Sequence, residues 1–428
     1  MLTLHESTRR RFLAALGTGV AGLSLGGPAA STAARKKRMA IITTEWRFRS
    51  HAWHMGERFL VGYPVRGAWH RPQIEVVSAY VDQFPENELS RARAREFGFT
   101  IYPTIAEALR CGGSRLAVDA VLIIGEHGNY PVNEAGQKKY PRYEFFKQVT
   151  DVFRQDGRAA PVFNDKHLSW NPAWADEMVQ LSRQLKFPFL AGSSLPVTWR
   201  MPAVEMPAGA VLREVMGVAM GAVDSYDFHA LEVIQCMAER RRGGETGVVA
   251  LQALRGDSVW HAMDTGSWAA GGWDPALLEA CLSRSHTLAQ PPTHSHRYPT
   301  AEQIRSFVKD PVAYRYEHAD GLKATMLLLN GLVGDFTFAA RRSGQSQPLS
   351  TLFYLPPNPN VVYSAALMAQ AERMFLTGRA PYPVERTQLT GGLVAAGMQS
   401  LAAGQKRIET PHLAIRYKAP RESTYWRD

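Results

Sequence analysis

A chain of 428 residues is longer than one hydrophobic core usually supports, so two domains are expected. Hydrophobic residues at 45% and charged residues at 21% describe an ordinary globular protein and exclude a disordered or fibrous one. The formal charge of +10 is scattered, and its clusters at Arg35-Lys36-Lys37-Arg38 and Arg240-Arg241-Arg242 sit on no nucleic-acid-binding motif, which excludes nucleic acid as a partner.

Residues 1–34 read as a targeting segment and stay outside the fold argument. Thr8-Arg9-Arg10-Arg11-Phe12-Leu13 resembles the twin-arginine consensus, and small residues at 28–34 suit signal-peptidase cleavage. The apolar run at 13–25 is too short to cross a bilayer, so no stable membrane span is expected. The expectation is export through the twin-arginine translocase to a periplasmic or other extracytoplasmic location. The three cysteines, Cys111, Cys236 and Cys281, lack C-x-x-C spacing, which excludes a disulfide framework and a cysteine-built zinc site.

Residues 39–44 read as a short apolar strand. In a dinucleotide-binding unit G-x-G-x-x-G should follow, because glycines let the backbone approach a pyrophosphate at a helix N-terminus. Here the chain continues Thr43-Thr44-Glu45-Trp46-Arg47-Phe48-Arg49-Ser50-His51, with no glycine before Gly56. Glu45 and Trp46 would crowd the pyrophosphate path, and the Glu45 charge would repel it. Arg47, Arg49, His51 and His54 offer side chains that could bind phosphates or an anionic substrate instead. His51 and His54 could share a metal on a helix, but no third ligand accompanies them, and the expected metal is none.

Residues 74–81 form a second strand that ends in Asp82, where an acid can bond a ribose hydroxyl and favour NAD over NADP. A helix at 86–97 is closed by Gly98. Thr104 and Glu107 make a capping box for another, which stops at Gly112-Gly113. A strand at 117–124 runs into Gly125-Glu126-His127-Gly128. This alternation argues for a parallel sheet covered by helices. Residues 129–143, rich in Tyr, Pro and Lys, read as a loop over the mouth of a site. Next come a strand at 160–163, the tetrad Asn164-Asp165-Lys166-His167, and a helix opened by Asn171 and Pro172. Trp174, Met178, Leu181 and Leu185 give that helix one buried stripe, and a strand at 187–190 follows. Ligands bind at the carboxyl ends of parallel strands, so Lys166 stands where chemistry would be done. A solvated loop lysine is the plain alternative. Ser193-Ser194-Leu195-Pro196 closes a first domain over 37–195.

The second domain, 196–428, opens with Trp199-Arg200 and a strand at 211–222. Asp224-Ser225-Tyr226-Asp227-Phe228-His229-Ala230-Leu231-Glu232 follows. Residues 256–285 carry Trp260, Trp268 and Trp273 among glycines and read as a loop offering aromatic faces to a sugar, or as core. A proline-rich connector spans 290–296. Segments 322–330 and 333–340 read as strands paired around Asn330-Gly331, and 349–354 as another, giving an antiparallel sheet. Helices at 363–376 and 389–404 end the domain.

Taken together, these segments resemble the glucose–fructose oxidoreductase / inositol dehydrogenase (Gfo/Idh/MocA) family over about residues 37–412. Asp165-Lys166-His167 stands where that family has Glu-Lys-Pro, and EFGFTIYPTIAEAL followed by VDAVLIIG keeps its order. Arg200 matches an arginine just after its last nucleotide-domain strand. Of its D-x-G-x-H-x-x-D, the chain keeps His229 and Glu232 but has Ser225 at the first position. The resemblance implies an N-terminal Rossmann-like parallel sheet domain and a C-terminal α/β domain with an open, mainly antiparallel sheet. It implies an oxidoreductase acting on a sugar or polyol with NAD or NADP, and association into homo-oligomers; export, read from the targeting segment, would require that cofactor to stay tightly bound. It assigns catalysis to His229 as base and Lys166 as the group polarising the substrate oxygen. Cofactor contacts fall to Thr43, Thr44, Asp82, Gly125, Glu126, Asp165 and Lys166, and substrate contacts to Arg200, Asp227 and Glu232. Two other functions stay open: a sugar lyase, hydrolase or isomerase using His51, His54, His127, Lys166 and His229, and a non-catalytic carbohydrate-binding protein. The glycine-free loop at 43–51 discriminates among them.

Overall fold

Strand β1 (Lys37–Thr43) is apolar on both faces, as a strand buried in a parallel sheet must be: Met39 and Ile41 join one core, Ala40 and Ile42 the other, and all four are fully buried. The computed structural model describes residues 35–290, 299–356 and 362–427. The targeting segment and nearly all of the proline-rich connector lie outside the described residues.

After β1 the chain makes a π-helical turn at Ala52–Gly56 that continues as α1 (Glu57–Val61), then a small hairpin of β2 (Tyr63–Val65) and β3 (Ala68–His70). The sheet is completed by β4 (Ile74–Val81), β5 (Thr100–Ile101), β6 (Ala120–Ile124), β7 (Val162–Asp165) and β8 (Phe189–Gly192). Between them run α2 (Ser90–Phe97), α3 (Ile105–Arg110), α4 (Arg142–Asp156) and α5 (Pro172–Gln184). The order is β5-β4-β1-β6-β7-β8 and every pair is parallel. This is the doubly wound arrangement, with its switch point between β1 and β6.

Local signals hold where they are local. Thr104 accepts the Glu107 N–H at 3.1 Å, and Asn171 accepts that of Ala173 at 3.0 Å. Gly98 closes α2 in the left-handed conformation. Strands β7 and β8 each begin two residues later than expected, because Pro161 and Pro188 have no N–H for the ladder and stand just before them. Asn164 and Asp165 are therefore the last rungs of β7, and Lys166 is the first residue beyond it.

The second sheet contains β9 (Trp199–Met201), β10 (Leu212–Ala219), β11 (Val248–Arg255), β12 (Val312–His318), β13 (Lys323–Leu328), β14 (Phe336–Arg342), β15 (Leu349–Tyr354) and β16 (Ile408–Glu409). Its order is β16-β11-β12-β13-β10-β14-β15-β9, antiparallel except for β10 with β13. The expected hairpin around Asn330-Gly331 does not form. Strand β10 inserts between β13 and β14, and the Asn330 side chain instead bonds the N–H and C=O of Gly221, just past the end of β10. Residues 256–285 are not an aromatic loop either. They fold as α7 (Asp257–Thr265) and α8 (Pro275–Leu282), with Trp273 in the core beneath them.

Helix α6 (Tyr226–Ala238) packs against β10 where Gly217 lets it approach; a Cβ there would stand 2.8 Å from Ile234 Cγ1. Helices α7, α8 and α9 (Ala301–Phe307) cover the opposite face of this sheet. The last two helices return to the first sheet. Ala366, Leu367 and Ala371 of α10 (Tyr363–Thr377) enter the Met39–Ile41 core, and α11 (Glu385–Ala402) runs along α5 and α6. Residues 36–428 therefore make one compact unit.

Candidate active site

The carboxyl ends of β6, β7 and β8 open into a cavity of about 540 Å³. From the first sheet it is lined by His51, His54, Glu126, His127, Asp165, Lys166 and Ser193–Leu195. From the second come Tyr226 and His229 of α6, Phe336, and residues at the end of β15, with Tyr363 of α10 beside them. The size suits a small polar ligand.

Lys166 directly follows β7 and His127 stands just past β6, after Gly125 and Glu126; both adopt the left-handed backbone, with φ of 58° and 70°. Such a conformation costs about 1–2 kcal/mol for a residue with a side chain and concentrates at functional sites. The turn aims the Lys166 ammonium at Glu126 Oε1, 3.2 Å away, while Arg142 donates to the other oxygen of the same carboxylate. Burial alone would raise the Glu126 carboxyl. The Lys166 and Arg142 charges outweigh it and hold the group well below the usual carboxylate range. Burial and then the Lys166 charge press the His229 imidazole well below its ordinary value, so it is neutral at neutral pH, with a ring lone pair able to take a proton. Its Nδ1 is buried without a hydrogen-bond partner.

A second group of imidazoles stands at the head of the π-helical turn. His51 Nδ1 lies 2.6 Å from Asp165 Oδ2, and its ring centroid is 4.6 Å from His54 and 5.1 Å from His127. Burial, followed by the charge of His51, lowers His54 well below its ordinary value and His127 to about 4. Among the described residues no group of three or more His, Cys, Asp or Glu side chains is arranged to hold a metal.

Lys166 and His229, more than sixty residues apart in sequence, line the same cavity, together with Glu126 and Asp165. Other expected contacts point elsewhere. Thr43 and Thr44 are fully buried; their hydroxyls bond the carbonyls of Ile124 and Glu126 and fasten the loop to β6. Gly125 makes room for Arg142, whose Cγ would be 2.6 Å from a Cβ there. Arg200 is buried away from the cavity, paired with Glu205 at 2.6 Å and stacked on Phe353 and Tyr425. Asp227 caps the start of α6, accepting the N–H groups of Asp224, Ser225 and Phe228 and the Tyr314 hydroxyl. Glu232 faces inward and accepts both the N–H and the hydroxyl of Ser193. The three tryptophans of 256–285 do not line the cavity. The sequence reading missed Arg142 and Tyr363. An acid just past a fully apolar strand calls for a buried cation, but nothing local in the sequence says which one, and Lys166 already offered itself.

The usual seat of a dinucleotide is filled by the chain itself. Past β1 the backbone enters its helix only after the loop at 44–50, which runs over the end of β4: Asp82 and Gln83 donate to the carbonyls of Thr43 and Thr44, Leu89 donates to that of Trp46, and Arg47 bridges to Glu88. The Trp46 ring fills the core under the π-helical turn, and Ser50 Oγ takes the Arg47 and Trp53 amides. Asp82 receives the hydroxyls of Tyr80 at 2.7 Å and Tyr130 at 2.6 Å, and Gln83 is clasped to the backbone of Asn129. His51 reaches from the loop to Asp165 across the switch point. These residues do not fit a pyrophosphate and adenosine in the places a doubly wound fold reserves for them.

No family model matches the sequence, and no curated protein sequence matches it. Solved structures do. GenD2 from gentamicin A biosynthesis, in complex with NAD, superposes with a TM-score of 0.55 at 13% identity, over 91% of this chain and 99% of that one. The myo-inositol dehydrogenase of Lactobacillus casei, in complex with NAD(H) and myo-inositol, gives 0.53 at 11%, over 87% and 96%. An oxidoreductase from Agrobacterium radiobacter, in complex with NAD+, L-tartaric acid and magnesium, gives 0.51 at 13%, over 87% and 98%. The fold is that of the inositol dehydrogenases. At these identities the likeness speaks to architecture alone, and solved structures of this architecture hold NAD(H).

Proposed function

We propose that the chain is an enzyme that moves protons on a sugar or polyol in the Lys166–His229 cavity, and that it does so without a dinucleotide. The observation that carries this reading is the self-filled seat: the loop at 44–50 and Tyr130 lie where the cofactor would, yet the substrate end of the cleft is open and furnished for acid–base work. His229 is the base, neutral and within the cavity. The Lys166 ammonium stabilises negative charge on a substrate oxygen, held by Glu126. With no hydride acceptor, the C–H proton removed must be one acidified by a neighbouring carbonyl. The charge is then discharged by reprotonation, an isomerisation, or by loss of a leaving group, an elimination.

A second reading has its own support. An NAD-type oxidoreductase acting on a sugar or polyol is what the dehydrogenases of this fold suggest, and Lys166 follows the fifth strand of the doubly wound order. It requires the 44–50 loop to leave the end of β4. Calorimetry with NAD+ and NADP+, and proton NMR of aldoses, ketoses and keto-polyols with the enzyme in D2O, separate the two. The first reading expects no nicotinamide binding and deuterium gained at carbon next to a carbonyl, lost in Lys166→Ala and His229→Gln. Tight NAD+ binding with NADH formed from a polyol would establish the second instead. Export by the twin-arginine route is proposed with either, on the strength of Arg9-Arg10-Arg11. No helix among the described residues is long and apolar enough to cross a membrane.

A further inference from the structure

The His51–Asp165 pair has no counterpart in the roles so far given to the cavity. Asp165 is the last residue of β7, fully buried, and its backbone is fixed by pairing with Gly192. One carboxylate oxygen meets His51 Nδ1 at 2.6 Å; the other is buried with no partner. A buried polar atom left unpaired costs about 1–3 kcal/mol, a penalty that persists where a site needs the group. The His51 side chain is 15% exposed and faces the cavity. Its neighbours His54 and His127 pack against the ring, tilted and edge-on, and do not bond it.

A carboxylate at Nδ1 takes the Nδ1–H, fixes the tautomer and leaves Nε2 with its lone pair free, as in the Ser-His-Asp triads. We propose that His51, oriented by Asp165, is a second acid–base group of this cavity, supplied by the β1 loop while His229 comes from α6, with Asp165 the positioning residue. This inference rests on the proton-transfer reading above and extends it to elimination. His229 takes the proton from the carbon beside a carbonyl as the C=C bond forms. The bond from the next carbon to its oxygen substituent breaks, and protonated His51 delivers a proton to the departing oxygen. The products are an unsaturated sugar and an alcohol or water, and the two imidazoles return to their starting states by proton exchange with solvent. The pair also explains why the β1 loop lacks glycines: it carries a side chain to the reacting centre instead of a backbone cradle.

The test has one arm that needs no substrate. In 15N-histidine NMR of the full chain, recorded at a pH where the ring is neutral, His51, assigned by the loss of its signal in His51→Gln, should be the Nδ1–H tautomer in the wild type and lose that preference in Asp165→Asn, with circular dichroism unchanged. A His51 that carries its proton on Nε2, or ignores Asp165→Asn, overturns the proposal whichever sugar the enzyme takes. The second arm uses a sugar that shows deuterium exchange in D2O. His51→Gln should keep the exchange at carbon while product formation falls by about 10²–10⁴, and His229→Gln should lose both. Equal loss of exchange in both variants overturns the division of labour. If no sugar exchanges at all, the proton-transfer reading fails, and the tautomer result alone decides whether the oriented dyad stands.

Discussion

Glu126 is the group whose removal the structure prices most clearly. Its carboxylate is 6% exposed and accepts from both Lys166 and Arg142, and Arg142 is fully buried with one guanidinium nitrogen, Nε, already unpaired. Glu126→Ala leaves two buried cations without their anion. Breaking a buried pair by deleting one partner costs about 3–5 kcal/mol, because the remaining charge is stranded away from water. For a unit of roughly 390 residues the unfolding entropy is about 0.8 kcal/mol per degree, so Tm should fall by about 4–6 °C. Scanning calorimetry on wild type, Glu126→Ala and the double variant Glu126→Leu/Arg142→Met measures this. The double variant removes one of the stranded charges and replaces the pair with apolar volume, so it should lose less than Glu126→Ala. A fall below about 1 °C in Glu126→Ala would refute the reasoning, since it would mean that Lys166 and Arg142 reach water when their partner is gone.

Two further outcomes follow from charge and address. Burial holds His54 and His167 below the ordinary 6.5, so the unfolded chain binds their protons first and stability should fall as pH drops below about 6.5, by up to about 1.4 kcal/mol per pH unit for each. Glu232, raised by burial from 4.5 to about 7, works the other way, stabilising at low pH and losing that contribution as pH climbs toward 7; urea midpoints between pH 7 and 5 should therefore drop more steeply in Glu232→Gln, and a shallower drop would contradict the assignment. Replacing Arg9 and Arg10 with Lys should leave the precursor unprocessed in the cytoplasm, and fractionation that finds the variant exported normally would sink the targeting proposal.

Sequence by itself determined what depends on near neighbours. Caps at Thr104 and Asn171, the left-handed stop at Gly98, the doubly apolar β1 and the lysine after β7 all follow from residues within a few positions of one another, where propensity and periodicity act. The parallel, helix-covered character of the first sheet was legible too, because strand and helix alternate along the chain. Pairing between distant segments was not. Asn330-Gly331 has the composition of a hairpin turn, but β10, a hundred residues earlier, takes the place between its two strands, and which edge a strand joins depends on burial summed over the whole sheet. The same limit applied to the site. Lys166 stood out by its place after a parallel strand and His229 by the family resemblance, whereas Glu126 meeting Arg142 and His51 meeting Asp165 required the first sheet to be assembled. The glycine-free loop announced that a dinucleotide would be crowded. Only the tertiary structure decided what lies there instead: Trp46 in the core, Tyr130 on Asp82 and an imidazole drawn across the switch point, each held by a partner too far along the chain for local physics to select.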